Sequence, residues 1–162
     1  MRPRIRKTVL VVHVIAAVAL LGEVWALVVL NTAATLAEEP ELAHAAYRLM
    51  PFLVFAGGIP LSLTALATGV TLGLSSHWGV FRHSWVAAKL VLILGVICLG
   101  AFLFDPVGMA AATAGGRGVA TDRQWGQVAV PAAQLVMLVT ATALSVFKPR
   151  RRIPRTRGDH PQ

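Results

Sequence analysis

Four long apolar stretches make up more than half of this chain, and they constrain its fold more than any other feature. They run from 8 to 32, 49 to 74, 86 to 104 and 128 to 147. A helix needs about 20 apolar residues to cross the hydrocarbon core of a bilayer, and each stretch meets or approaches that length. Only 14% of the residues are charged, which is well below the usual share in soluble domains. The sequence therefore predicts an all-α protein, a single four-transmembrane-helix bundle over residues 1–147.

The C-terminal segment 148–162 has a different composition. It contains six basic residues and three prolines, which cannot bury apolar surface and therefore predict a disordered tail. Its arginines are expected to bind anionic lipid headgroups; they are Arg150, Arg151, Arg152, Arg155 and Arg157. Cys98 is the only cysteine, so a disulfide within the chain and a zinc site built from several thiolates are both excluded.

Basic residues are distributed unequally between the two sides of the predicted bundle. The side that carries the N-terminus has 12 lysines and arginines, and the opposite side has 3. By the positive-inside rule, this asymmetry predicts a multi-pass membrane protein with both termini in the cytoplasm. The net charge is +8. Because the basic residues that produce it lie at the ends of the spans, nucleic acid is not an expected partner. Aromatic anchors are expected at both interfaces, with Trp78 and Trp85 on the inner side and Tyr47 and Trp125 on the outer side.

The connections between the spans carry their own signals. The acidic segment 33–48 contains Glu38, Glu39 and Pro40, which favour the start of a short surface helix. The glycine-containing segment 105–127 is predicted to be a flexible outer linker. Within the second span, Gly69 and Gly73 form a small-xxx-small pair that favours close helix packing, and Pro60 is expected to kink the helix and free a carbonyl.

Five polar residues fall at similar depth near the inner ends of the spans and predict an inner polar layer: His13, Thr71, Lys89, Thr142 and Ser145. Lys89 is expected to extend its ammonium group toward the headgroups. For His13 two interpretations remain open. The imidazole either forms a structural hydrogen bond to a hydroxyl or carbonyl, or it acts as a ligand or a proton carrier.

A second layer is predicted in the outer half from Glu23, Gln134 and Ser62. A carboxyl group buried in hydrocarbon favours its neutral form, and a protonated Glu23 could donate a hydrogen bond to Gln134 and hold two helices in register. The alternative is that Glu23 is a proton or cation site. Gln134 shares a helix face with Leu138, Ala141 and Ser145, which follow it by four, seven and eleven residues, and this predicts that the face points inward.

No catalytic motif stands out, since the chain lacks a Gly-x-Ser-x-Gly elbow, a metalloprotease helix and a pair of carboxylates in one layer. His77 and His83 lie on the same side as His13, so a haem or transition-metal site from His13 and a loop histidine is geometrically allowed. The sequence assigns no metal site and leaves the cofactor unknown.

Several short segments resemble a small bacterial family of four-span membrane proteins of unknown function. The most specific segment runs from His77 to Val86 and is followed by Lys89; the others are 60–63, Thr68-Gly69, 144–150, and His13-Val14 with Leu21-Gly22. The resemblance covers about residues 8–150 and implies a protein of the bacterial inner (plasma) membrane with four spans and a basic cytoplasmic tail. The pattern in the first span is also similar to copper-resistance membrane proteins and to a haem-pathway protoporphyrinogen oxidase. Those proteins usually carry tryptophan where this chain has Leu20 and a small or apolar residue where it has Glu23.

Three hypotheses for function follow. The first is a non-catalytic accessory or interaction subunit, with a membrane protein or a second copy of the chain as its partner. The second is a haem- or metal-linked redox protein that uses His13. The third is a proton- or cation-coupled transporter of small solutes that uses Glu23.

Overall fold

The computed structural model describes residues 2–75 and 84–146. Within these ranges the chain is entirely helical apart from short connections, and the prediction of an all-α bundle with four membrane-spanning helices is confirmed. The α-helices are α1 (Pro3–Leu36), α2 (Pro40–Leu53), α3 (Ile59–Leu74), α4 (Ser84–Phe102), α5 (Pro106–Ala112) and α6 (Thr121–Val146). Predictions for His77, His83, Trp78 and the tail 148–162 fall outside the described residues, as does the side chain of Trp85.

The long helices are antiparallel neighbours, and α1 lies at the centre of their packing. It contacts α2, α3 and α6, while α4 packs mainly on α6 and meets α3 less extensively. We call the end of the bundle that holds the start of α1 and the end of α6 the terminal side, and the opposite end the distal side. Large apolar side chains cover the outer surface, such as Phe102 at 83% and Phe52 at 72% exposed, because lipid rather than water surrounds the spans.

The helices are longer than the apolar stretches that predicted them. The first extends from Pro3 to Leu36 and the second begins at Pro40, so the predicted connection 33–48 shrinks to three residues. The helix predicted to start near Glu38 does start at Pro40, but it continues into the second span instead of ending at the surface. Hydropathy marks only the part of a helix that lies in hydrocarbon, whereas the backbone remains helical beyond it.

A π-helical turn joins α2 to α3 at the position where a kink was predicted. It covers Val54–Gly58, and the amide of Ile59 donates to the carbonyl of Val54. Pro60, which has no amide hydrogen, follows directly at the first turn of α3. The proline is therefore accommodated by a wider turn of the helix, and this turn places Gly57 and Gly58 against α1.

The segment 105–127, predicted to be a flexible linker, is an ordered cap on the distal side. Asp105 begins α5 by accepting a hydrogen bond from the amide of Gly108 at 2.8 Å, and its carboxylate forms an ion pair with Arg123 at 3.3 Å. Gln127 ties the segment to the end of α4, because its side chain bonds the amide of Asp105 and the carbonyl of Leu103. The sequence did not predict these contacts, because its glycines suggest a flexible segment and the pairing of the side chains depends on the fold.

Candidate functional site

Glu23 is the acidic side chain that lies deepest in the bundle. It projects from α1 onto the π-helical turn, where a Cβ atom on Gly58 would lie 3.0 Å from its Oε1 and a Cβ on Gly57 would lie 3.3 Å from its Cγ. A Cβ at either position would therefore force the Glu23 side chain to move away by a few tenths of an ångström. Oε1 is buried and has no hydrogen-bond partner in the described part of the chain. A buried carboxyl oxygen without a partner is costly, so the group needs a proton, a cation or water.

His13 lies nearer the terminal side in the same helix–helix interface. Its Nδ1 is 3.1 Å from the carbonyl oxygen of Ala65 and 3.0 Å from Oγ1 of Thr68. The Thr68 hydroxyl donates to the carbonyl of Thr64 at 2.6 Å, and a carbonyl can only accept, so the proton of the neutral ring is on Nδ1. The lone pair is consequently on Nε2. Gly69 leaves room for the ring, since a Cβ there would be 3.2 Å from its Cε1.

Glu23 and His13 therefore face α3 and the preceding turn from one side of α1. They are ten residues apart, which corresponds to about 15 Å along the helix axis. Ionisable groups inside a membrane bundle usually mark paths for ions or protons. Here both ionisable groups that α1 carries inside the span, His13 and Glu23, contact α3 or the π-helical turn that precedes it.

Gln134 does not bind Glu23, contrary to the sequence-based prediction. Its Nε2 donates to the carbonyl of Val96 at 2.8 Å, and a Cβ on Gly100 would be 3.0 Å from the same atom. Gln134 thus joins α6 to α4, although it is buried as its inward-facing position predicts. Ser62 is also buried and donates to the carbonyl of Ile59 in its own helix. The predicted outer layer is a set of residues at similar depth, each with a different partner.

Three of the five residues in the predicted inner layer do not point into the bundle. Thr71, Thr142 and Ser145 are exposed on the bundle surface, and each hydroxyl donates to a carbonyl one turn earlier in its own helix. A hydroxyl can satisfy itself in this way on a lipid-facing surface, so depth alone did not reveal which way these residues point. Lys89 lies in α4 and is partly buried.

Two buried polar residues of the distal half were missed or misassigned. Asn31 of α1 is fully buried; its Nδ2 donates to the carbonyl of Leu27 at 3.0 Å, and its Oδ1 has no partner in the described chain. Tyr47 is also fully buried, and its hydroxyl is likewise unpartnered there. Tyr47 is therefore not an interface anchor, because the helix continues past it and α1 and α5 cover it. Trp125 is 46% exposed.

The described residues contain no group of three or more histidine, cysteine or acidic side chains that could hold a metal ion. His13 could supply one ligand to a metal or a haem, because its lone pair is on Nε2 and the Nδ1 contacts would fix the ring.

Comparisons with protein families, with curated proteins and with solved structures found no match for this chain.

Proposed function

We propose that this chain is a proton-translocating membrane protein in which Glu23 binds and releases the transported proton. The observation that carries the proposal is the position of the carboxyl group of the partly buried Glu23, whose Oε1 lies against a π-helical turn and is itself buried and unpartnered among the described residues. Such turns and such carboxyl groups are both frequent at functional sites.

His13 supports the proposal as a second proton carrier in the same interface. Its ring is held by Ala65 and Thr68, and its Nε2 can accept a proton without breaking either contact. A proton that leaves Glu23 toward the terminal side would meet this nitrogen about 15 Å away, a span that requires intervening water.

The proposed orientation places the terminal side in the cytoplasm of a bacterial cell, with the chain in the inner membrane. The support is the excess of 12 basic residues over 3 on the side of the termini, together with the positive-inside rule. The arginine-rich tail would then lie against the anionic inner leaflet.

The proton flux of purified protein in liposomes tests this function. A potassium gradient with valinomycin sets the membrane potential, and a trapped pH dye records proton entry. We expect flux for the wild type and loss of about 90% or more of it for Glu23→Gln, because the amide keeps the shape of the side chain but cannot carry a proton.

The matched control is Glu38→Gln, which removes an acid from the exposed connection between α1 and α2 and should leave the flux unchanged. A wild-type protein without proton flux, or a Glu23→Gln variant with wild-type flux, would refute the proposal.

A second candidate function is haem- or metal-linked redox chemistry, and the free Nε2 of His13 is the observation that favours it. An absorption spectrum and a metal analysis of the same purified sample separate the two candidates. The hypothesis of an accessory subunit stays a prediction, since nothing in the described residues selects a partner.

A further inference from the structure

We infer that a hydrated route leads from the distal surface to Glu23 along the interface of α1 and α2, past Asn31 and Tyr47. This inference deepens the proposed function, on which it rests, by assigning the side from which Glu23 exchanges its proton.

The first argument is the distribution of unpartnered polar atoms. Three buried side-chain oxygens lack a hydrogen-bond partner among residues 2–75 and 84–146, and they are Oε1 of Glu23, Oδ1 of Asn31 and the hydroxyl of Tyr47. All three lie where α1 meets α2 and the π-helical turn. Buried polar atoms of this kind are normally satisfied by internal water, so their grouping in one interface indicates where water enters the bundle.

The second argument is their register. Glu23 is level with Gly57 and Gly58. On α1, Asn31 lies eight residues from Glu23 toward the distal side. On the facing segment, Tyr47 of α2 lies ten residues from Gly57, also toward the distal side. The helices are antiparallel, so the two side chains differ in height by only about 3 Å.

The third argument is chemical complementarity. Oδ1 of Asn31 carries no hydrogen and can only accept hydrogen bonds, whereas the Tyr47 hydroxyl can donate and accept. One water molecule can donate to Asn31 and bond the tyrosine hydroxyl at the same time. The two residues are therefore suited to hold water in an interface that is otherwise apolar.

The route has an opening and a constriction. His44 precedes Tyr47 by three residues on the same face of α2, is partly exposed, and contacts Oγ1 of Thr113 in the cap at 2.9 Å. At the other end, Leu27 lies between Asn31 and Glu23 and is 3% exposed. Leu27 is therefore the constriction of the inferred route, and a movement of this side chain would connect Asn31 to Glu23.

Cysteine accessibility tests the inference. In a Cys98→Ser background, Asn31→Cys is compared with Val24→Cys, a buried position of α1 in the apolar cluster, and with Val29→Cys on the exposed surface of α1. The probe is a membrane-impermeant cationic methanethiosulfonate, added to vesicles of known orientation. It reacts with thiolates, and a thiol ionises only where water reaches it.

We expect Asn31→Cys to react from the distal side at least about tenfold faster than both controls, since hydration rather than static burial decides the rate. Asn31 is 0% and Val24 2% exposed, so burial alone predicts that neither reacts. Equal slow rates at all three positions, or reaction of Asn31→Cys only from the terminal side, would overturn the inference.

The outcome is independent of the proposed function. Labelling should persist in the Glu23→Gln variant, because position 31 lies about two helical turns from Glu23 toward the distal surface. If Asn31→Cys is labelled but the wild type conducts no protons, the pocket exists and the transport proposal is wrong. If protons flow through Glu23 without labelling at Asn31→Cys, Glu23 is the site and the distal route is wrong.

Discussion

At the scale of single residues, the position of Glu23 depends on two neighbours that have no side chain, Gly57 and Gly58. Two consecutive glycines let the carboxyl group approach the backbone of the π-helical turn. A charged side chain at the centre of a membrane helix costs about 2.5–3.5 kcal/mol or more, so a carboxyl group at this depth favours its protonated, neutral form. The local geometry thus points to a use for the carboxyl group.

The glycines lead to a prediction for Gly58→Ala. The new methyl group would lie 3.0 Å from Oε1 and 3.3 Å from Cδ of Glu23, so the carboxyl group must shift by a few tenths of an ångström. We expect proton flux in liposomes to fall by about threefold to tenfold, because small displacements of a reacting group have large effects on rate.

The control for this prediction is Gly22→Ala. A Cβ at Gly22 meets no atom within 4 Å, so this variant should keep the flux and gain about 0.5–1 kcal/mol of stability from helix propensity. Equal flux in both variants would show that the contact with Gly58 does not matter.

At the scale of helices, two interfaces of the bundle differ in their chemistry. The interface of α1 with α3 and the π-helical turn holds His13 and Glu23. The interface of α4 with α6 holds a buried amide, because Gln134 bonds the carbonyl of Val96. In a membrane, small residues allow helices to approach and interhelical hydrogen bonds hold them, so Gln134 and its small neighbours fix α4 on α6.

The packing of α4 on α6 leads to a prediction for Gly95→Val. A Cβ on Gly95 would overlap Cε of Met137 in α6, and the branched valine leaves the methionine little space to move. We expect a loss of about 1–3 kcal/mol of stability in detergent, as is usual for overpacking, measured by the shift of the unfolding midpoint. Gly126→Val is the matched control, since that position is open; a midpoint that shifts equally in both variants would contradict the described packing.

At the scale of the whole molecule, the sequence predicted the class of fold because hydrocarbon imposes a simple rule on length and polarity. It also identified Glu23 as the costly residue and Gly69 as a close-packing position, which the structure places against His13. Partners were harder to predict. Depth suggested that Glu23 binds Gln134, but the two side chains point to different helices, and the direction in which a side chain points depends on how the helices are rotated.

The distal cap was concealed for a similar reason. Asp105, Gln127 and Arg123 are far apart in the sequence and form their contacts only when α5 folds over the bundle. Asn31 carried the one signal that was available, as a polar residue in line with the buried positions Leu27 and Ala34 of α1. Tyr47 was misassigned because an aromatic residue near the end of an apolar stretch is typical of an interface anchor, and the end of the stretch was not the end of the helix.

Chemical labelling of the carboxyl groups tests the central claim that Glu23 is a protonated acid inside the membrane. A hydrophobic carbodiimide such as dicyclohexylcarbodiimide reaches protonated carboxyl groups in hydrocarbon, and mass spectrometry locates the product. Within the same molecule, Glu38, Glu39 and Glu41 are exposed acids that serve as internal controls. The account predicts that Glu23 is modified in native membranes while these three remain unmodified. An unmodified Glu23, under conditions where a known membrane-embedded carboxyl group in the same sample reacts, would contradict it.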